Sequence, residues 1–296
     1  MSIGLQRRVV PALVAMVAGL SAAGAAQAPG AGQSPLIVVR VTVTDKAGHF
    51  VTDLSKDDFS VLDKSKPQPI LDCRRDDRPV TLMLMLDRSG SLTMVADRVN
   101  EIAEQLIERL GPADRARVTQ FSEAFATKPA DFTADHAALV TIVRDGQTGK
   151  STRMWDALDA GMAVLESAPG ARVMVVVSDG SDNLSKKRRS QVTERARDAS
   201  AVIHAIGVPT MILGMVTAPD RDLRTAAEET GGQFLALKPN DNIGPAVLKV
   251  ADGLRAGYLL AFAPAVMDGK RHALEVRVGR PGLQVQAGRD YLAATR

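Results

Sequence analysis

Two short runs constrain this chain more than any other part of it. Val80 to Leu86 (VTLMLML) and Val173 to Val177 (VMVVV) are almost continuously apolar and bounded by polar residues. A strand with one face in water alternates apolar and polar residues. A strand that is apolar throughout has both faces covered, as in a parallel sheet flanked by helices. The segments between and after them carry the helical period. Val95, Val99, Ile102, Leu106 and Leu110 recur every three to four residues before Gly111-Pro112 stops the helix. Further helices are predicted over 135–143 (with Thr133 as N-cap), 154–165, 191–199, 223–230 and 243–254. Short strands are predicted over 118–121, 201–208 and 233–237. Strands alternating with helices specify an α/β fold with a doubly wound, mostly parallel sheet and right-handed crossovers.

The flanks read differently. Residues 36–44 (LIVVRVTVT) form a strand that alternates in its second half, Asp45-Lys46-Ala47-Gly48 supplies a turn, and 59–62 is another short strand. This β unit is expected to close near Asp72. After Tyr258 the pattern returns to strands, over 258–262, 272–278 and 283–287, with no helix between them. These are expected to pair with the N-terminal strands in a small β module formed by both terminal segments. The implied organisation is a β segment over 36–76, an α/β domain over 77–256 and a second β segment over 257–296.

The first residues carry an address. Arg7 and Arg8 precede an uncharged apolar run from Val9 to about Ala23, followed by Gly24-Ala25-Ala26 and a Gly/Pro/Ser stretch. This is the pattern of a signal peptide over 1–26 with a linker over 27–35, and it predicts a secreted or periplasmic protein. The run is shorter than a spanning helix needs, so no membrane span is expected once the leader is removed. The formal charge of the 296 residues is only +3, and two of the positive residues lie in the leader. Aromatic residues make up 3%. Neither value suits a nucleic-acid partner. The single cysteine, Cys73, excludes an internal disulfide and any cysteine metal cluster, and reads as a small buried apolar residue.

The residues that carry chemistry fall at strand ends, where open α/β sheets bind their ligands. The first buried strand runs into Asp87-Arg88-Ser89-Gly90-Ser91, and the second into Ser178-Asp179-Gly180-Ser181-Asp182-Asn183. Ser151-Thr152 stands just before a predicted helix. The three loops are expected at one edge, bringing together two carboxylates and three hydroxyls. An all-oxygen set suits a hard divalent cation such as Mg²⁺, with Mn²⁺ or Ca²⁺ as substitutes.

Asp87-x-Ser89-x-Ser91, followed by Thr152 and Asp179, resembles the metal-ion-dependent adhesion site of von Willebrand factor A (VWA) domains. Asp114-Arg115-Ala116-Arg117-Val118 and Trp155-Asp156-Ala157-Leu158 fit the surrounding pattern. The flanks, Val41-Thr42-Val43-Thr44-Asp45 with Asp58-Phe59, and Tyr258-Leu259-Leu260 with Arg280-Pro281-Gly282-Leu283, resemble those of exported bacterial VWFA-related proteins. The resemblance implies a VWA/Rossmann-like fold. It also implies Ser89, Ser91 and Thr152 as direct metal ligands, with Asp87 and Asp179 acting from close by. A protein partner presenting Asp or Glu would complete the ion's shell. Ser151, where the family commonly has Gly, and Arg153 depart from its pattern without removing a ligand.

Arg88, Arg153, Lys186 and Lys187, with Lys150, Arg188 and Arg189, are expected as a positive rim around this edge, either plain solvated charge or a collar that steers an acidic partner. Asp182 reads as a loop or cap carboxylate, Asp156 as a helix first-turn acid and Trp155 as core. His49, His136, His204 and His272 are too scattered to share a ligand role. Two other functions compete. A phosphatase or other hydrolase could use Asp87 with Mg²⁺, but the chain lacks the second aspartate two residues on, a Gly-x-Ser-x-Gly elbow and a histidine base near Ser89. A structural envelope protein could carry the site as a vestige. The sequence favours a non-enzymatic, metal-dependent binding module.

Overall fold

The computed structural model describes residues 36–212 and 215–295; the expected leader and linker lie outside them. The chain enters through four strands, β1 (Ile37–Thr44), β2 (Phe59–Asp63), β3 (Lys66–Gln68) and β4 (Ile70–Arg75). The α/β part follows as β5 (Val80–Asp87), α1 (Ala96–Glu108), β6 (Arg115–Phe121), β7 (Phe125–Thr133), α2 (His136–Arg144), α3 (Met154–Leu165) and β8 (Ala171–Ser178). It continues with α4 (Arg189–Asp198), β9 (Val202–Gly207), β10 (Thr210–Ile212), β11 (Met215–Thr217), α5 (Arg221–Glu229), β12 (Phe234–Ala236) and α6 (Gly244–Gly253). Four strands close the fold: β13 (Gly257–Phe262), β14 (Arg271–Val278), β15 (Gln284–Ala287) and β16 (Asp290–Leu292).

The central sheet has six strands in the order β12-β9-β8-β5-β6-β7. All neighbours are parallel except β7, which runs antiparallel to β6 at the edge. The doubly wound reading therefore holds. Along β5, Leu82, Leu84 and Leu86 enter the core under α1, α2 and α6, while Met83 and Met85 enter the core under α3, α4 and α5. All five side chains are fully buried. At roughly 1.5–3 kcal/mol per buried side chain, such strands anchor the fold.

The edge strand β7 and the hairpin β10–β11 were not predicted. Residues 125–133 (FATKPADFT) are mostly exposed and include Lys128 and Pro129, both usual on sheet edges. A strand with little to bury leaves no periodic signal. The helix expected after Thr133 begins one residue later than predicted, at His136, and Asp135 is its N-cap. The Asp135 carboxylate accepts the N–H of Ala138 at 2.9 Å, while the Thr133 hydroxyl accepts the N–H of Asp135. The cap must stand directly before the first turn to reach these donors, and Thr133 is too far back.

Both ends of the described chain build one antiparallel module. One sheet has the order β15-β1-β13-β4 and the other β16-β14-β2-β3. Their facing side chains, among them Val41, Val61, Tyr258, Phe262 and Leu274, form a third core. The Tyr258 hydroxyl donates to the Val51 carbonyl and accepts the Leu54 N–H, both at 3.0 Å, which pins the β1–β2 connection. Cys73 is a half-buried free thiol beside this core. Among the described residues, no helix is long and apolar enough to cross a membrane.

Candidate metal centre

The chain leaves β5 for β6 on one side and later places β8 on the other. The carboxyl ends of β5 and β8 thus form the point where the winding reverses, and a crevice opens there. Asp87 closes β5 and is 1% exposed. Its Oδ1 accepts the Ser89 N–H at 2.8 Å and its Oδ2 accepts the Ser178 hydroxyl at 2.5 Å. Ser89 and Ser91, on alternate positions of the turn, bring their hydroxyls within 3.2 Å of each other. The Ser91 hydroxyl donates to Asp179 Oδ2 at 2.7 Å, and Asp179 Oδ1 accepts the Ser181 N–H at 2.9 Å. Four of the five predicted ligands therefore lie in one hydrogen-bonded cluster.

Thr152 is buried and is held to the same edge through the backbone. Its N–H donates to Asn183 Oδ1 at 3.0 Å, and its carbonyl accepts the N–H groups of Asn183 and Leu184 from the Asp179 loop. The Thr152 loop also closes on the serine loop. Gly149 N–H donates to the Arg88 carbonyl at 2.7 Å, and a Cβ on Gly90 would stand 2.9 Å from the Lys150 carbonyl oxygen. Gly90 is needed for that close approach. Glu123, which the sequence reading passed over, accepts the N–H groups of Lys150 and Ser151 and fixes the loop from the other side. Ser178 was likewise given no role. It orients Asp87 and accepts the Gly180 N–H at 2.8 Å. A serine beside an aspartate at a strand end is the only sequence signal for it.

Burial pushes the Asp87 carboxyl up to about 6, against the hydrogen bonds from Ser178 and Ser89, and the neighbouring Asp179 adds to the rise. Neither Asp87 nor Asp179 is ion-paired among the described residues. Two buried carboxylates and two converging hydroxyls, without a cation among their partners, fit a hard divalent ion. Among the described residues, no group of three or more His, Cys, Asp or Glu side chains is arranged to hold a metal ion.

The expected rim is only partly present. Arg88 is a correction: it is 3% exposed and turned inward. Its Nε meets Gln120 Oε1, and its Nη2 donates to Asn100 Oδ1 and the Val143 carbonyl at 2.7 Å. The loop residue next to Asp87 packs under the sheet edge because α1, β6 and α2 supply these acceptors. Arg153 Nε stands 3.8 Å from Asp156, and Lys187 Nζ stands 3.1 Å from Asp159. Lys150, Lys186 and Arg188 are exposed. Asp156 accepts the N–H groups of Lys186 and Lys187, and Asp182 accepts that of Trp155, so both acids organise the loop before α4. Trp155 is core. His204 is neutral, with burial pulling it down to about 3, helped by Arg40. His272 lies between Asp63 (2.9 Å) and Asp268 (3.0 Å) in the antiparallel module.

Residues 82–181 match the family model of the von Willebrand factor type A domain. No curated protein matches the chain significantly. Among solved structures, conserved hypothetical protein BatB from Bacteroides thetaiotaomicron aligns with a TM-score of 0.50 at 15% identity, covering 60% of this chain and 98% of its own. Proximal thread matrix protein 1 from the mussel byssus aligns with a TM-score of 0.51 at 17% identity. That match covers 65% of this chain and 49% of the mussel protein, so this chain spans about half of it. Likeness at this distance speaks for the fold alone. With the sheet order and the matched residues in agreement, the α/β part of this chain has the fold of a von Willebrand factor type A domain.

Proposed function

We propose that this chain is a metal-dependent protein-binding module that acts outside the cytoplasm. The observation that carries the reading is the pair of buried carboxylates, Asp87 and Asp179, joined to the hydroxyls of Ser89 and Ser91 with no cationic partner among the described residues. When bound, a Mg²⁺, Mn²⁺ or Ca²⁺ ion supplies a positive centre able to bind an external carboxylate. Ser89, Ser91 and Thr152 would hold it through neutral oxygens, which leave most of its charge for an Asp or Glu of the partner. Asp87 and Asp179 would hold it from nearby, through the orientation that Ser178 and Ser181 impose. Lys186, with Lys150 and the partly paired Arg153 and Lys187, would steer the acidic partner toward this edge. Arg88 has no part in that rim. The leader over residues 1–26 would export the chain to the periplasm or beyond.

A binding role fits the site better than hydrolysis. Both Asp87 oxygens already accept hydrogen bonds, and no histidine is among the hydrogen-bond partners of Ser89 or Ser91. Calorimetric titration of Mg²⁺ and Mn²⁺ into the chain, beside Asp87→Ala, tests the reading. Saturable binding that disappears in the variant is expected. Absence of binding to the parent chain would overturn it.

A further inference from the structure

A cavity opens at the same end of the sheet, beside the carboxyl end of β6. Its volume is about 450 Å³, and its walls include Arg88, Gln120, Phe125, Lys128, Ile142 and Gln147. That size is within the range of small-molecule sites. The cavity lies between the β6–β7 hairpin and the segment that follows α2. It uses none of the five residues assigned to the metal.

Arg88 is the unusual member of this wall. It is 3% exposed, yet among the described residues it forms no ion pair, and all three of its acceptors are neutral. Asp87 is its chain neighbour, but the Asp87 oxygens are taken by Ser89 and Ser178. Three of the five guanidinium N–H groups are used: Nε on Gln120, and Nη2 on Asn100 and the Val143 carbonyl. Nη1 finds no acceptor among the described residues. A buried guanidinium with only neutral partners is costly unless an anion meets it. The group is also rigidly placed. A Cβ on Gly146 would lie 2.6 Å from Arg88 Nε, so the α2–α3 loop passes directly over the guanidinium only because residue 146 is glycine.

The rest of the wall is suited to a mixed ligand. Lys128 stands at the mouth, loosely engaged at 3.9 Å with Asp145, the one carboxylate among the described residues of this wall, with both side chains mostly in water. Phe125, 40% exposed, and Ile142 offer apolar surface beside these charges. We infer that this cavity binds a small organic carboxylate, with its anionic end on Arg88 and its apolar body against Phe125 and Ile142.

Benzoate is a suitable probe, with benzamide as its neutral twin. Both are titrated into the full chain after divalent ions have been stripped by chelation and dialysis. The result is then independent of the metal reading, because no ion remains to capture the carboxylate. Calorimetry and the Ile142 methyl resonance report affinity and place. One-to-one binding of benzoate is expected, with the Ile142 methyl shifted and benzamide at least about tenfold weaker, the value of one charge-assisted hydrogen bond. Arg88→Gln is expected to abolish binding. Because Arg88 also ties three elements together and its variant can fail to fold, Lys128→Gln on the exposed edge is the second arm, expected to weaken benzoate about two- to fivefold. Equal binding of benzoate and benzamide, no benzoate binding, an unmoved Ile142 methyl, or full affinity in a folded Lys128→Gln variant would each overturn the inference.

Discussion

The Asp87 carboxylate depends on a hydroxyl that no ligand pattern points to. Ser178 donates to its Oδ2 inside a buried cluster. Removing this donor in Ser178→Ala leaves a buried carboxylate oxygen short of a partner, at a cost of about 1–3 kcal/mol. Urea unfolding is expected to show that loss, and Mg²⁺ calorimetry a weaker site, because Asp87 loses its orientation. His272 offers a comparable case in the antiparallel module. It is held between Asp63, 6% exposed, and the more accessible Asp268. His272→Ala removes a hydrogen-bond partner of the buried Asp63 carboxyl and is expected to cost about 1–3 kcal/mol, read as a lower urea midpoint at unchanged slope. Metal affinity is expected to stay as it is, since the two sites share no residue.

At the scale of elements, the turn at the end of β5 depends on a single missing side chain. Gly90→Ala would press a Cβ against the Lys150 carbonyl oxygen and push away the loop that presents Thr152. A Mg²⁺ affinity reduced about tenfold or more, with circular dichroism close to that of the parent, is the expected outcome. The same scale shows what the sequence could reveal. β5 and β8 are legible because both faces are buried, so all but the second and last positions of each strand are apolar. The metal edge is legible because short oxygen-bearing side chains follow these strands at once. β7 is not legible, because an exposed edge strand has no inward face to pattern. Arg88 was misplaced for a related reason. A charged loop residue reads as solvated, and the acceptors that draw it inward, on Asn100, Gln120 and Val143, are distant in the chain and individually unremarked. Arg153 and Lys187 find their acids, Asp156 and Asp159, only once α3 has formed.

For the whole molecule, the metal site makes stability depend on pH and on cation together. Without a cation, the folded Asp87 carboxyl titrates at about 6, above its ordinary 3.8. A carboxyl whose pKa is raised on folding binds its proton more tightly in the native state. The native state therefore loses stability from this group as pH rises from about 4 to 6, on the order of 3 kcal/mol in all. Below that window both states hold the proton, and above it both have released it. A bound divalent ion favours the ionised form and removes the loss. Urea midpoints measured with chelator and with saturating Mg²⁺ are thus expected to separate progressively across this window and to stay apart above it. Curves that run parallel from pH 4 to 7 would show that Asp87 is not linked to the ion.

The antiparallel module has one more consequence. β1 lies between β13 and β15, and β2 pairs with β14, so the strands made first are completed by strands made more than two hundred residues later. The α/β domain needs none of those later strands for its own sheet. A chain cut or stalled before residue 257 could therefore wind its central sheet while β1 stood with both edges open and Val41 and Val43 uncovered. Such a product is a ready substrate for proteolysis and for edge-to-edge aggregation. The module therefore closes only when β13, β14 and β15 have followed β1 and β2, and β1 has no strand to pair with until then.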